Sequence, residues 1–165
     1  MASFFQTGST LGANLNSTNT AAQFALMTPT LGNNATEWVY VYMSGACSAG
    51  SCVAISQTGT AAAASIALAM APAKTIAFAQ TAFAAADYGW VSRRGMGVTV
   101  QMSATTAAVT TALYVGTTAG HLTTTVGSAT VFGVQVTGSS ATATVWTTDG
   151  TVTWPRIGNA NLTDS

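Results

Sequence analysis

The chain has 165 residues with 4 Lys and Arg, 4 Asp and Glu and 1 His, so its formal net charge is zero and only 5% of it is charged, against about 25% in an ordinary soluble domain. With 48% hydrophobic residues and so few charges, it has the reverse of a disordered composition, and its scattered cations exclude the phosphate neutralisation on which nucleic-acid binding depends. Two cysteines and an aperiodic glycine distribution exclude a disulfide scaffold and a collagen-like helix.

Residues 1–36 form the first compositional block, polar and rich in Asn and Thr, with Phe4, Phe5 and Phe24 as isolated aromatics. Such a segment reads as an extended N-terminal arm that orders against a partner, with the three phenylalanines as anchors. On this reading, removing residues 1–30 leaves the remaining domain folded and weakens only its attachment. The opening MASFFQTGST lacks the basic start and apolar run of a signal peptide, which predicts a protein not exported by the common secretory route.

From Glu37 the pattern changes. In Trp38-Val39-Tyr40-Val41-Tyr42-Met43 the aromatics take one parity and the aliphatics mainly the other. Strand side chains alternate between faces, so this strand is apolar on both sides. It is therefore either central or covered by another subunit. Residues 52–56 (CVAIS) and 75–81 (TIAFAQT) read as further strands. Between them residues 61–73 are mostly alanine, but Pro72 and the alternation of Ile66, Leu68 and Met70 favour an extended segment or loop. The stretch also falls short of the roughly 20 apolar residues a membrane helix needs, and no membrane association is expected.

Cys47 and Cys52 enclose Ser-Ala-Gly-Ser, a spacing open to a disulfide or to two free thiols, with free thiols favoured in a reducing compartment. A denser constellation follows at residues 87–95, DYGWVSRRG. Extended, it places Tyr88, Trp90, Ser92 and Arg94 on one face and Asp87, Gly89, Val91 and Arg93 on the other. Trp and Arg are enriched at interface hot spots, so Trp90, Arg93 and Arg94 join Trp38 and Tyr40 as candidate subunit contacts.

Val98, Val100 and Met102 alternate with polar residues, as do Phe132, Val134 and Val136. Near the end, residues 142–148 and 151–154 flank Asp149-Gly150, a strong hairpin signal. The sum of these runs is an all-β domain, a small β-barrel or β-sandwich over residues 37–158, preceded by the arm at 1–36 and followed by a tail at 159–165. His121 has no G-x-S-x-G elbow to support a catalytic triad. The scattered His, Cys and carboxylates give no closed metal site, and neither enzyme activity nor a cofactor is expected.

The run at 73–95, AKTIAFAQTAFAAADYGWVSRRG, with the strand at 98–102 after it, resembles small capsid decoration (cement) proteins of tailed bacteriophages. The order of parts is also similar: an arm, E-W-V-Y-V, an Ala- and Thr-rich middle, A-L-Y-V-G and a final T-W-P. The likeness covers about residues 37–156, with 87–95 its most specific part; the cysteine pair and the very low charge depart from it. What the resemblance implies is a β-rich domain on the outer surface of an icosahedral shell, made in the host cytoplasm and often trimeric. Such a protein bridges neighbouring major capsid proteins, and no catalytic residues carry over. Composition points the same way, since a surface so poor in charge repels copies of itself weakly. An alternative from a different class is a virion-surface adhesin that recognises glycans through exposed Trp and Tyr.

Overall fold

The β-branched and aromatic runs separated by Gly, Ser and Ala turns become strands in the computed structural model. It describes residues 5–6, 9–10, 13–33, 35–71, 74–95, 97–103, 113–125, 129–132, 134, 145–148 and 156–159. In chain order the first strands are β1 (Phe5–Gln6), β2 (Ser9–Thr10), β3 (Ala13–Asn14), β4 (Thr18–Asn19), β5 (Pro29–Leu31), β6 (Glu37–Met43), β7 (Cys52–Ser56) and β8 (Thr60–Ala63). A helical turn α1 (Ile66–Ala69) precedes β9 (Lys74–Ala79), β10 (Tyr88–Arg94), β11 (Val98–Gln101), β12 (Leu113–Val115), β13 (Leu122–Thr123), β14 (Ala129–Phe132), β15 (Val145–Thr148) and β16 (Arg156–Asn159).

Five of these strands close on themselves. β6 pairs in parallel with β8, β8 antiparallel with β7, β7 with β9, β9 with β10, and β10 returns to β6 over the register Tyr88↔Tyr42 to Val91↔Val39. The result is a small β-barrel, an architecture in which closure removes the exposed sheet edges. Only small and medium side chains fit such an interior. Val39, Val41, Met43, Val53, Ile55, Ala61, Ala77, Ala79 and Val91 fill it and are fully buried. Phe83 plugs one end, held by reciprocal backbone hydrogen bonds with Cys47. Gly89 makes room for that plug, because a Cβ there would stand 2.7 Å from the Phe83 ring.

The outward faces of the barrel strands are covered too, on two sides. Cys52 and Ala54 of β7 and Ile76 and Phe78 of β9 pack against Val98, Val100, Met102, Leu113, Val115, Leu122 and Val131 from the C-terminal half. Trp38 and Tyr40 of β6 and Trp90 of β10 pack against Ala13 and Leu15, with Phe24 and Tyr88 alongside. Double coverage explains why the W-V-Y-V-Y-M strand is apolar on both parities: it is central, and its second face is buried by the chain's own N-terminal residues.

This changes the reading of the arm. Residues 13–31 alternate short strands with turns and bends, and they lie on the barrel of the same chain. β4 pairs with β10 (Asn19↔Tyr88, Thr18↔Gly89) and β5 with β6 (Pro29↔Val39 to Leu31↔Glu37). A boundary at 36/37 therefore cuts through a packed layer, and this segment is called the strap below. At the other end, β16 reaches Asn159, one residue past the expected domain end.

Two local expectations are corrected or fall elsewhere. Residues 61–73 are not extended throughout: β8 ends at Ala63, and the Ser65 hydroxyl accepts a hydrogen bond from the Leu68 N–H to cap the turn α1. The N-cap and the helix preference of alanine outweigh the strand-period spacing of Ile66, Leu68 and Met70. The expected Asp149-Gly150 hairpin lies outside the described residues; β15, just before it, pairs with β11 from Val98↔Thr148 to Gln101↔Val145.

The C-terminal layer is fastened to the barrel by a side chain that imitates backbone. Gln80, just past β9, donates from Nε2 to the Thr99 carbonyl at 3.0 Å and accepts at Oε1 from the Thr99 N–H at 2.8 Å. The Gln101 N–H donates to the Gly50 carbonyl beside it. Replacing Gln80 by Ala leaves both Thr99 groups to find new partners and is expected to lower stability by about 1–3 kcal/mol. Urea denaturation measures the loss, and amide exchange should show β11 opening before the barrel strands.

Candidate interaction surface

The aromatic face carries most of the candidate residues. Phe24 lies with its ring centroid 5.3 Å from both Tyr40 and Trp90, and Tyr40 and Trp90 are 5.1 Å apart in an edge-on arrangement. Tyr88 stacks on Tyr40 at 6.4 Å. The strap adds polar ties: the Gln23 N–H donates to the Tyr40 hydroxyl, and the backbones of Met27 and Thr28 bond to that of Tyr40. The Trp38 indole N–H donates to the Thr36 hydroxyl at 2.9 Å. Trp38, Tyr40 and Trp90 are only 8%, 1% and 3% exposed. As folded, they are internal anchors of the strap and offer no surface to a second subunit.

Arg93 and Arg94 converge on one carboxylate. Arg94 Nε lies 3.0 Å from Glu37 Oε2 and Arg93 Nη1 lies 3.6 Å from Glu37 Oε1. Simple alternation would have put the two arginines on opposite faces. The register shifts between Ser92 and Arg94, and an irregularity of this kind bends a strand and re-aims its side chains. Gly95 continues the bend at φ 131°, where a Cβ would meet the Thr36 backbone at 2.5 Å. Glu37 was not among the residues singled out from sequence, although its scarcity as an acid beside an apolar strand was a usable signal. Partly exposed pairs of this kind contribute about 0–1 kcal/mol, so the cluster sets geometry more than stability.

Phe24 is thus placed in the strap layer. Phe5 belongs to the short strand β1, paired with β2 through Phe5↔Thr10. Phe4 lies outside the described residues.

Among the described residues, Asp87 and His121 each have a local backbone partner. The Asp87 carboxylate accepts from the Ala84 N–H at 3.1 Å and closes a turn. His121 Nδ1 lies 3.2 Å from the Ala119 carbonyl. Among the described residues there is no group of three or more His, Cys, Asp and Glu able to hold a metal, and no helix is long and apolar enough to cross a membrane.

Both cysteines are free and buried, Cys47 with the barrel interior and Cys52 with the C-terminal layer. Burial pushes the Cys47 thiol up against a hydrogen bond from the Phe83 backbone, and burial alone pushes Cys52 up to about 12. An ordinary thiol ionises near pH 8.5. Between these values the unfolded chain releases the Cys52 proton while the folded chain keeps it, so stability falls as pH rises through the interval and is unaffected by this group below it. Denaturation midpoints between pH 8 and 11 should fall for the native chain, and fall less for Cys52→Ala.

The outer surface is distinctive for what it lacks. Among residues whose side-chain burial is described, no exposed one carries a formal charge: Glu37, Lys74, Asp87, Arg93 and Arg94 are all buried or half-buried. Exposed positions are Ala, Ser, Thr, Asn, Gln, Gly and Pro, with Leu26, Leu31, Leu68 and Met70 as the larger apolar side chains.

No family model, curated protein or solved structure matches the chain.

Proposed function

We propose that this chain is a structural virion protein that decorates and cements an icosahedral phage capsid. It sits on the outer surface of the shell and bridges major capsid protein subunits, with copies of itself as further partners in a trimeric arrangement. The observation that carries this reading is that, among the residues whose burial is described, no exposed position bears a formal charge. Contacts built from shape, hydrogen bonds and small apolar groups suit a part held in place by many neighbours, whereas a dispersed protein depends on surface charge to stay apart from its copies. The sequence likeness at residues 87–95 supports the same reading. With Trp38, Tyr40 and Trp90 inside, the bridging contacts fall to the exposed small residues and to Leu26, Leu31, Leu68 and Met70. The adhesin alternative loses Trp38, Tyr40 and Trp90 for the same reason, and Tyr42, Tyr88 and Tyr114 are half-buried.

The test is sedimentation with purified capsids. The protein is expected to co-sediment at a fixed number of copies per shell and to resist release as salt rises, since screening weakens only charged contacts. A chain that stays a dispersed monomer at high concentration and ignores capsids overturns the proposal. Ready release at moderate salt would contradict the uncharged interface.

A further inference from the structure

The strap reaches the barrel through a short hinge between β5 and β6, described at residues 32, 33, 35 and 36. Its backbone is folded back by hydrogen bonds from the Gly32 N–H to the Thr36 carbonyl and from the Thr36 N–H to the Asn33 carbonyl. Ala35 is held there at φ 55°, a left-handed conformation that Gly or Asn tolerates and that the Ala Cβ opposes. The fold-back is also tight at Gly32, where a Cβ would stand 2.6 Å from the Trp38 indole nitrogen and 2.7 Å from the Thr36 hydroxyl. Beyond the hinge, the strap holds the barrel through two-residue and three-residue strands and the side chains of Ala13, Leu15 and Phe24.

We propose that this strap exchanges between two copies of the chain. With the hinge straightened, β5 and β6 form one extended run, and residues 13–31 of each copy cover the Trp38–Tyr40–Trp90 face of the other. Every contact between strap and face is re-formed, because the two faces are identical, so the balance rests on the hinge alone. Opening gives up its two backbone hydrogen bonds and the one from the Thr36 hydroxyl to the Asn33 carbonyl, and it releases the left-handed Ala35; a short hinge under strain favours exchange. The partner is a second copy, and the contact is two-fold and isologous. The inference stands without the capsid reading, since it needs only the barrel, the strap and the hinge.

Full-length protein refolded from urea over a range of concentrations, then passed through size exclusion with light scattering, tests it. A dimer whose fraction grows with concentration is expected, one that persists on dilution because exchange requires the straps to detach. Ala35→Gly removes the penalty of the closed hinge and should lower the dimer fraction by roughly tenfold. Deleting Asn33 and Asn34 makes the closed hinge too short and should make the dimer dominant. Exchange itself is read by mixing Asn19→Cys chains with Tyr88→Cys chains, whose altered residues are register partners of β4 and β10. A disulfide between the two chains forms only if one copy's strap lies on the other's barrel. The double variant in one chain, refolded dilute and oxidised, controls for folding and geometry. Monomer at every concentration, for native and shortened hinges alike, overturns the proposal. A dimer that does not cross-link while the control does, or a dimer fraction indifferent to Ala35→Gly, also overturns it.

Discussion

A chain lacking residues 1–31 is expected to lose most of its stability rather than only an attachment point. The deletion removes Leu15, which is 2% exposed, and the half-buried Phe24; burial of such side chains contributes about 1.5–3 kcal/mol each. It also ends the Phe24 ring contacts to Tyr40 and Trp90, at about 0.5–1.5 kcal/mol each. Together the loss is on the order of 5 kcal/mol, comparable with the whole stability of a marginal domain, about 5–15 kcal/mol. What remains exposes Trp38, Tyr40 and Trp90 side by side, an apolar patch that invites aggregation. Urea denaturation and binding of a hydrophobic dye check the result. A truncated chain with the native midpoint and no added dye binding would show that the strap is no part of the fold.

Phe78→Ala should be the most damaging single substitution on the other side of the barrel. Phe78 is fully buried between β9 and the C-terminal layer, among Cys52, Ile76, Val98, Val100 and Leu122. Truncating a buried Phe to Ala costs about 3–5 kcal/mol through lost transfer energy and the cavity left behind. The barrel interior, on the opposite face of β9, keeps all its side chains, so the C-terminal layer should loosen first. Denaturant midpoints give the magnitude. Amide exchange gives the location: accelerated exchange at β11 and β12 ahead of β6 and β10 is expected, and uniform acceleration would mean that the layers unfold as one.

How much of this was readable in the sequence depends on the range over which each feature is decided. The strand at residues 37–43 was legible because its alternating aromatics and aliphatics specify two buried faces, and CVAIS and TIAFAQT were legible as short β-rich runs, although the second strand ends at Ala79, two residues early. Barrel closure was not, because the parallel pairing of β6 with β8 joins residues whose partnership no local pattern records. The strap was misread for a related reason. Its polar composition resembles that of a free arm, and only the distant aromatic face shows that Leu15 and Phe24 have an intramolecular destination. For the arginines, period-two alternation sent Arg93 and Arg94 to opposite faces, and a single register shift after Ser92 brought both to Glu37. The helical turn at residues 66–69 turned on one hydroxyl, Ser65, which outweighed three side chains at strand spacing.

The packing of the strap also gives the molecule a built-in optical reporter. Trp38 and Trp90 both sit beneath residues 13–31, shielded from water, with Trp90 against the Phe24 and Tyr40 rings. Lifting that cover hydrates both indoles at once, so their emission shifts to longer wavelength before the barrel itself melts. With Trp146 and Trp154 replaced by Phe, leaving only these two of the four tryptophans, stopped-flow fluorescence can therefore time the departure of the N-terminal segment separately from global unfolding.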